Sequence, residues 1–428
     1  MNNEENRIKN YRTAARLVLG AAMAVNLSAL PLASQAAAYA YTDLNPSGAT
    51  TSEGFGISGS QQVGDGAGSL TGNAQHALLW SGTASNVVDL NPSGFTYSQA
   101  SGNSGSQQVG NGFYVSANNY HALLWSGTAG SAVDLNPDGF SESYATGNSG
   151  GQQVGYGYDA ANSEHALLWS GTAGSLVDLN PNSAWQSAAN GISGTQQVGY
   201  GSSPLDTGNN GHALLWLGTA SSAVDLNPSG FTGSAAYGTS GSQQVGVGYG
   251  SATLNNQHAL VWYGTASSVV DLNPSGFTTS YAISVSGSQQ VGQGQGAATG
   301  NTKHALLWSG TASSVVDLHS FLSSDYSSSV AEGIDANGNI FGHAIYIPTG
   351  HVHAMLWTLV PRLIISLSNQ NVVLSWPDSA TGFRLQSALN LNPPVNWIDS
   401  TNVPVIAGTQ FKVTNTISGS NQFYRLKQ

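Results

Sequence analysis

The chain contains no cysteine among its 428 residues, and charged residues make up only 7% of it. The missing cysteine excludes a disulfide framework and any thiolate nucleophile or metal ligand. Lysine and arginine are absent from the whole stretch between Arg16 and Lys303, and the net charge is -11. Such a chain repels phosphate backbones and anionic membrane surfaces, so we expect no nucleic-acid partner.

Long apolar runs are also missing, except for one near the N-terminus. Residues 17–32 are apolar, follow four basic residues and precede small residues at 33–38. This layout predicts a secretory signal peptide over residues 1–38, with a membrane anchor as the alternative. We therefore expect a secreted bacterial protein, extracellular or at the cell surface, without a membrane span in the mature chain.

The rest of the chain is dominated by one repeated signature. It reads HALLW, HALVW or HAMLW, with successive copies 45, 44, 47, 46, 46 and 49 residues apart. The copies begin at His76, His121, His165, His212, His258, His304 and His353. This period is the length of a four-stranded propeller blade. In the third unit, Gly- and Ser-rich turns separate expected strands at 143–148, 152–158, 165–169 and 175–179.

The two ends of the repeat region predict how a ring would close. The seventh unit has no fourth strand after Trp357, whereas the sequence from Tyr39 to Pro46 is a fourth strand without its first three. We therefore predict an all-β chain with a seven-bladed β-propeller over residues 39–360, closed by the N-terminal strand. An open or eight-bladed array is the alternative.

The units HALLWSGTASSVVDLNPSGFT and ISGSQQVG resemble the HAF-type extracellular repeat. Leu78 and Leu123 stand where that family usually has Phe, and DLNPSG replaces its Asp-Leu-Gly-Thr-Leu-Gly step. The resemblance implies secretion and a propeller-like fold. It implies no reaction, because the family is defined by its repeat and location.

Composition changes after residue 360, where basic residues return. Short apolar segments at 363–367, 371–376, 382–387, 411–416 and 423–426 predict strands. With the lone Trp376 they indicate a small β-sandwich of fibronectin or immunoglobulin type over residues 361–428. The segment is similar to C-terminal modules on other secreted bacterial proteins, which implies a spacer or attachment role and no site.

A comparison of the copies with one another separates scaffold from variable surface. The loops between the second and third strands differ in every copy, whereas the SGS and SGTAS turns are nearly constant. Binding residues often lie on loops that a rigid scaffold positions, so we expect this face, with the mouth of the channel, to contact a ligand; neutral drift is the alternative. The candidate ligand-binding residues are Tyr114, Tyr120, Asp159, Glu164 and Asp206.

The repeated histidines and aspartates predict structure rather than chemistry. In six hairpins the His of HALLW faces the Asp of the DL step, which would satisfy buried polar groups within each blade. The Asp-Leu-Asn-Pro step could also bind calcium, although it lacks further acidic ligands. We expect no metal, no cofactor and no catalytic residues.

Enzyme chemistry would need unlike residues in one cleft. The acids outside the repeat motif are Glu53, Asp65, Asp138, Glu142, Asp159, Glu164, Asp206, Asp325, Glu332 and Asp335. A pair of them could serve a polysaccharide hydrolase or lyase, and His343, His351 and His353 form one unusual group.

Our functional prediction is a secreted, non-catalytic binding or surface-interaction protein, with polysaccharide or a cell-surface protein as its partner. A polysaccharide-acting enzyme and a purely structural surface protein are the alternatives.

Overall fold

The computed structural model describes residues 38–181, 186–202, 210–377, 383–408, 410–416 and 422–427. The predicted signal peptide lies outside the described residues, apart from Ala38. The chain divides into two compact units, one of Tyr39–Leu359 and one containing Val360–Gln428. In the described ranges, no helix is long and apolar enough to cross a membrane.

Four-stranded sheets make up the described part of the larger unit, and strands consecutive in the chain pair antiparallel within them. The N-terminal strand β1 (Ala38–Asp43) is treated with sheet 7 below. Sheet 1 contains β2 (Ala49–Ser58), β3 (Gln61–Gly68), β4 (His76–Trp80) and β5 (Val87–Asp89). Sheet 2 contains β6 (Phe95–Ser104), β7 (Gln107–Tyr114), β8 (Asn119–Trp125) and β9 (Val133–Asp134). Sheet 3 contains β10 (Phe140–Ser149), β11 (Gln152–Asp159), β12 (Glu164–Trp169) and β13 (Val177–Asp178). Sheet 4 contains β14 (Gln186–Ser193), β15 (Gln196–Ser202), β16 (His212–Trp216) and β17 (Val224–Asp225).

The remaining sheets of this unit follow the same plan. Sheet 5 contains β18 (Gly233–Thr239), β19 (Gln244–Tyr249), β20 (His258–Trp262) and β21 (Val270–Asp271). Sheet 6 contains β22 (Thr279–Ser286), β23 (Gln289–Gln295), β24 (His304–Trp308) and β25 (Val316–Asp317). Sheet 7 has the order β1-β28-β27-β26, with β26 (Tyr326–Ile334), β27 (Ile340–Tyr346) and β28 (His351–Val360). This confirms an all-β chain with the four-stranded antiparallel sheets of a β-propeller.

In the third unit the first strand is longer than the sequence predicts and the fourth strand is shorter. The shortening has a local cause, since a 3-10 turn at Ala173–Ser175 includes Ser175, which was expected in the fourth strand. The Ser175 hydroxyl donates to the Thr172 carbonyl oxygen at 2.6 Å, which fixes that turn. The 3-10 segments are Ser69–Thr71, Ala129–Ser131, Ala173–Ser175, Ala220–Ser222, Ser251–Thr253, Ala266–Ser268, Ala297–Thr299, Ala312–Ser314 and Leu318–Phe321.

The core of this unit lies between neighbouring sheets. Between sheets 3 and 4, for example, Val154 and Leu168 pack with Leu214 and Trp216. A cluster of the same kind joins Phe341 of sheet 7 to Trp80 of sheet 1. The tryptophan that ends each HALLW-type motif is 0% exposed. Both faces of each third strand are therefore covered, as their continuous apolar sequence predicts.

The C-terminal unit contains two further sheets. One has the order β29-β30-β34-β33 and the other β32-β31-β35. Their strands are β29 (Ile364–Ser368), β30 (Asn371–Pro377), β31 (Arg384–Ala388), β32 (Ile398–Asp399), β33 (Val405–Ala407), β34 (Gln410–Thr416) and β35 (Phe423–Lys427). Trp376 from the first sheet shares a buried cluster with Leu385 and Tyr424 from the second.

Candidate functional site

A central cavity of about 590 Å³ is lined by residues from the first strand of every sheet in the larger unit. These strands are β2, β6, β10, β14, β18, β22 and β26. Each stands at the end of its sheet and has a neighbour on one side only within that sheet. Backbone edges of seven strands therefore surround one cavity of a size typical of ligand sites.

A bulge in each first strand places one side chain at the cavity. In β10 the pairing with β11 shifts between Ala145 and Gly147, which leaves Thr146 as the extra residue. Bulges redirect side chains in this way. The seven bulged residues, which we call the bulge ring, all line the cavity: Phe55, Ser101, Thr146, Asn190, Tyr237, Ile283 and Glu332.

The bulge ring differs in every copy although its surroundings are nearly constant. A Gly or Ala precedes each ring residue, and a Gly or Ser follows it. A position that serves only the scaffold would be expected to repeat with its neighbours. The ring is therefore where this molecule departs from its own internal symmetry, and it surrounds the cavity.

Some hydrogen-bond acceptors at the cavity have no partner. Asn103 and Asn148 line it and donate through Nδ2 to the carbonyl oxygens of Gln61 and Gln107, each at 3.0 Å. Their Oδ1 atoms, like Oε1 of Gln293, are buried without a hydrogen bond in the described residues. A buried acceptor without a donor destabilises the fold, so these three oxygens are points of strain in the wall of the cavity.

One carboxyl group lines the cavity, and it interacts electrostatically with residues that do not line it. Among the described residues that line the cavity, Glu332 is the only charged one. Glu53 lies directly opposite Asp65 across β2 and β3, and its charge acts on Asp65, Glu332 and His343. We call Glu53, Asp65, Glu332 and His343 the acidic side; Lys303 is within electrostatic reach of Glu332.

These groups have strongly perturbed protonation. Burial and then repulsion by Glu53 raise the pKa of Glu332 from 4.5 to about 7, against the effect of Lys303. Burial raises the pKa of Asp65 from 3.8 to about 6, although Gln99 and Gln75 each donate to it at 2.7 Å. Burial lowers the pKa of His343, whose Nδ1 has no hydrogen bond in the described residues. Such shifts are typical of functional sites and let carboxyl groups exchange protons near neutral pH.

A second group of side chains lies in sheets 2 to 4. Tyr120 and Tyr144 stack with ring centroids 5.6 Å apart, and Tyr144 and Tyr156 stack at 4.9 Å. Tyr158 meets Tyr156 edge-on at 6.1 Å. We call these four residues and Tyr200 the tyrosine platform.

Two glutamates accept hydrogen bonds from the tyrosine platform. Glu142 accepts from the Tyr144 hydroxyl at 3.1 Å. Glu164 is 8% exposed and accepts from the Tyr200 hydroxyl at 3.3 and 3.2 Å. Burial raises the pKa of Glu164, while the Tyr200 and Tyr158 hydroxyls oppose the shift.

The structure brings some of the predicted ligand-binding residues together and separates others. Tyr120 belongs to the tyrosine platform, and Glu164 accepts hydrogen bonds from it. Tyr114 lies at the end of β7 and packs against Phe95 and His121 instead. Asp159 holds its own hairpin, since its Oδ1 accepts from the backbone N–H groups of Ala161 and Ser163 at 2.8 Å. Asp206 lies outside the described residues.

The motif histidines pair with the aspartates of the Asp-Leu step, as predicted. His165 Nδ1 lies 2.7 Å from Asp178 Oδ2, and the same pairing recurs in the other units at 2.7 to 2.8 Å. Asp178 Oδ1 accepts from the Asn180 backbone N–H at 2.8 Å, and Asn180 Oδ1 accepts from Ser187 Oγ at 2.6 Å. The oxygens considered for calcium are therefore engaged within the protein.

The unusual histidines do not gather around a metal. In the described part of the chain, no group of three His, Cys, Asp or Glu residues is arranged to hold an ion. His353 is paired with Asp43 at 2.7 Å, and His351 is exposed. Ser149 has the G-x-S-x-G surroundings of a nucleophile, but it ends β10 at a hairpin rather than at the strand-to-helix turn that such a nucleophile needs.

Sequence reasoning missed the bulge ring and the acidic side. A usable signal was present, because these positions vary between copies while their neighbours repeat. The same comparison, applied to the strands as well as to the loops, would have selected them. It would not have shown that a bulge turns them toward one cavity.

Comparison with known proteins gives structural likeness only. No family model matches the chain, and no curated protein does. A puromycin hydrolase mutant matches with TM-score 0.47 and 10% identity over 76% of this chain and 58% of that one. The propeller domain of the Trilobed protease from Pyrococcus furiosus matches with TM-score 0.49 and 9% identity, over 72% of this chain and 94% of that one. The BP39L lectin from Burkholderia pseudomallei matches with TM-score 0.41 and 11% identity, over 76% of this chain and 96% of that one.

These matches correct the functional prediction. Besides the lectin, the similar structures include puromycin hydrolases, the propeller domain of a protease, a puromycin-hydrolyzing peptidase, an acylaminoacyl peptidase, prolyl endopeptidases and a post-proline cleaving enzyme. The prediction of a non-catalytic binding or surface-interaction protein for polysaccharide or a cell surface is therefore wrong, together with its two alternatives. The chain spans about three fifths of the puromycin hydrolases it resembles, 58 to 61% of their length.

Proposed function

We propose that this chain is a propeller of the peptidase-associated type, and that its central cavity receives a polypeptide segment with a positive charge beside Glu332. The observation that carries the proposal is the bulge ring, which is different in every copy and places one acid at the cavity. Side chains that vary within a constant scaffold are suited to selecting a ligand.

The backbone around the cavity favours a peptide as the ligand. Each first strand has an unpaired edge within its sheet, and extended peptides bind through such edges by main-chain hydrogen bonds. A peptide supplies a carbonyl oxygen at every residue and an N–H group at every residue other than proline, so it can pair along such an edge.

The charge at the cavity favours a cation on that peptide. Glu332 lies at the cavity, the charge of Glu53 acts on it, and Lys303 is the cation that acts on it. A lysine ammonium from a ligand would form a charge-assisted hydrogen bond with the Glu332 carboxylate, which is stronger than a bond between neutral groups. Anionic ligands are disfavoured for the same reason.

Fluorescence anisotropy with a labelled peptide tests the proposal. The probe is acetyl-Ala-Ala-Lys-Ala-Ala with a C-terminal fluorophore, compared with the same peptide bearing Nε-acetyl-lysine. We expect the charged peptide to bind at pH 8 roughly tenfold more tightly or better, since a charge-assisted bond contributes about 1.5–3 kcal/mol. Equal affinity for both peptides, or no binding of either, would overturn the proposal.

Two variants locate the binding. Glu332→Gln keeps the shape of the side chain and removes its charge, so it should abolish the preference for the charged peptide. Asp325→Asn removes one charge from an exposed residue next to β26 that does not line the cavity, and it should leave the preference unchanged. An equal effect of both variants would indicate attraction by net charge rather than a site.

For the finer architecture, we propose a ring of seven blades closed by β1, followed by a small β-sandwich. In support, Asp43 at the end of β1 accepts a hydrogen bond from the Tyr326 hydroxyl and pairs with His353 at the other end of the unit. The buried cluster shared by the two C-terminal sheets supports the sandwich. We also propose that the units are HAF-type repeats and that the protein is exported, on the basis of the repeated motif and the N-terminal layout.

A further inference from the structure

We propose that the tyrosine platform binds a guanidinium group, as carried by an arginine side chain, between the tyrosine rings and the carboxylates of Glu142 and Glu164. The inference goes beyond the peptide cavity, because these residues do not line it. It rests on the geometry of the rings and on the charge that they surround.

The rings offer flat, partly open aromatic surface. Tyr120, Tyr144 and Tyr156 stack with interplanar angles of 29° and 18°, so their planes run nearly parallel across sheets 2 and 3. All three are partly exposed. A guanidinium group is planar and stacks on aromatic faces, which a tetrahedral ammonium cannot do.

Within the described part of the chain, no ion pair balances the charge of the two carboxylates. Glu164 is 8% exposed, and a glutamate so deeply buried is usually paired with a cation. Its partners here are the neutral hydroxyls of Tyr200 and Tyr158. Lysine and arginine are absent from the sequence between Arg16 and Lys303, and the neighbouring His165 is already paired with Asp178 at 2.7 Å.

A guanidinium group satisfies both requirements at once. Its five N–H donors can reach two carboxylates, while its plane lies against the tyrosine rings. A neutral planar ligand would stack without balancing the charge. A metal ion would balance the charge without using the rings, and the carboxylates do not belong to a metal-binding group in the described residues.

Titration with small molecules tests this site. The probes are N-acetyl-arginine methylamide and N-acetyl-citrulline methylamide, which have nearly the same shape but differ in charge, followed by tyrosine fluorescence and calorimetry on the full chain. We expect the arginine compound to bind at least about tenfold more tightly, as for one charge-assisted bidentate contact. Equal binding of both compounds, or no heat from the arginine compound at millimolar concentration, would overturn the inference.

Variants assign the binding to the platform. Glu164→Gln should weaken arginine binding about tenfold or more, whereas Asp138→Asn, at an exposed acid in the turn before β10, should change it less than about twofold. If Glu164→Gln lowers the melting temperature enough to unfold the chain, Tyr144→Leu replaces it, because loss of the central ring should abolish binding by itself. Unchanged arginine binding in a folded Glu164→Gln or Tyr144→Leu variant would contradict the site.

The two proposals fail separately. Glu332→Gln should leave the binding of the arginine compound unchanged, and Glu164→Gln should leave the lysine peptide unchanged. A loss of both ligands in either variant would show that the platform and the cavity are one site, and would overturn the inference of a distinct guanidinium site.

Discussion

At the scale of single residues, one carboxylate in each unit connects two sheets. Asp178 pairs with His165 through one oxygen and receives the Asn180 backbone through the other. Asn180 then accepts from Ser187 of the next sheet, and Ser187 Oγ accepts from the Ala166 backbone at 3.1 Å. The Asp-Leu-Asn-Pro step is therefore repeated because it completes a polar network at the boundary between sheets.

Replacing Asp178 with Ala should lower the melting temperature by about 2–4 °C. The change removes a hydrogen bond to the imidazole and one to the backbone, and part of their effect is screened because the Asp178 side chain is 44% exposed. Calorimetric melting curves measure the shift, with Asp138→Ala at an exposed turn as the control. A melting temperature that is unchanged relative to the control would exclude this role.

At the scale of the secondary-structure elements, the bulge in the first strand and the glycine of the QQVG strand depend on each other. A Cβ atom added at Gly155 would lie 1.8 Å from the Tyr144 carbonyl oxygen of the bulged strand. The equivalent distances at Gly64, Gly110 and Gly292 are 1.9 Å. The glycine is therefore required by close approach of two backbones, and the bulge that it permits directs the ring residues to the cavity.

Gly155→Ala should consequently lower the melting temperature by about 5 °C or more, since an overpacked site costs about 1–3 kcal/mol or more. Gly174→Ala is the matched control, because a Cβ atom there meets nothing within 4 Å. Melting curves of the two variants compare them directly. A similar stability of both would mean that the bulge relaxes without cost and does not fix the side chain of Thr146.

The elements also show how far the sequence could predict this molecule. Periodic Gly-Ser turns and the repeated HALLW motif predicted the four strands of each sheet and the His–Asp pairs, because both depend on contacts within one unit. The site depends on contacts between units. Tyr120 and Tyr144 lie in different sheets, and Glu53 acts on Glu332 from the other end of the repeat region. No spacing in one copy contains that information, so the sequence alone points to the variable loops and the mouth of the channel and not to the bulge ring.

At the scale of the whole molecule, the position of Glu332 links stability and ligand binding through pH. The folded protein raises the pKa of Glu332 from 4.5 to about 7, so the native state holds that proton more tightly than the unfolded chain does. Stability from this group is therefore fully present below pH 4.5 and is lost as the pH rises through about 7. The ionised form that destabilises the fold is the one that a cationic ligand needs.

Two opposite pH dependences should follow from this single group. The melting temperature of Glu332→Gln should exceed that of the parent chain at pH 8 and approach it at pH 5, because glutamine has no proton to lose. The affinity of the parent chain for the lysine peptide should rise between pH 6 and pH 8, where the peptide's own charge is constant. Melting curves and anisotropy titrations at the three pH values measure both. If the peptide affinity does not change across this range while the difference in melting temperature does, Glu332 does not contact the ligand. If neither quantity changes with pH, burial does not hold the proton on this carboxyl group.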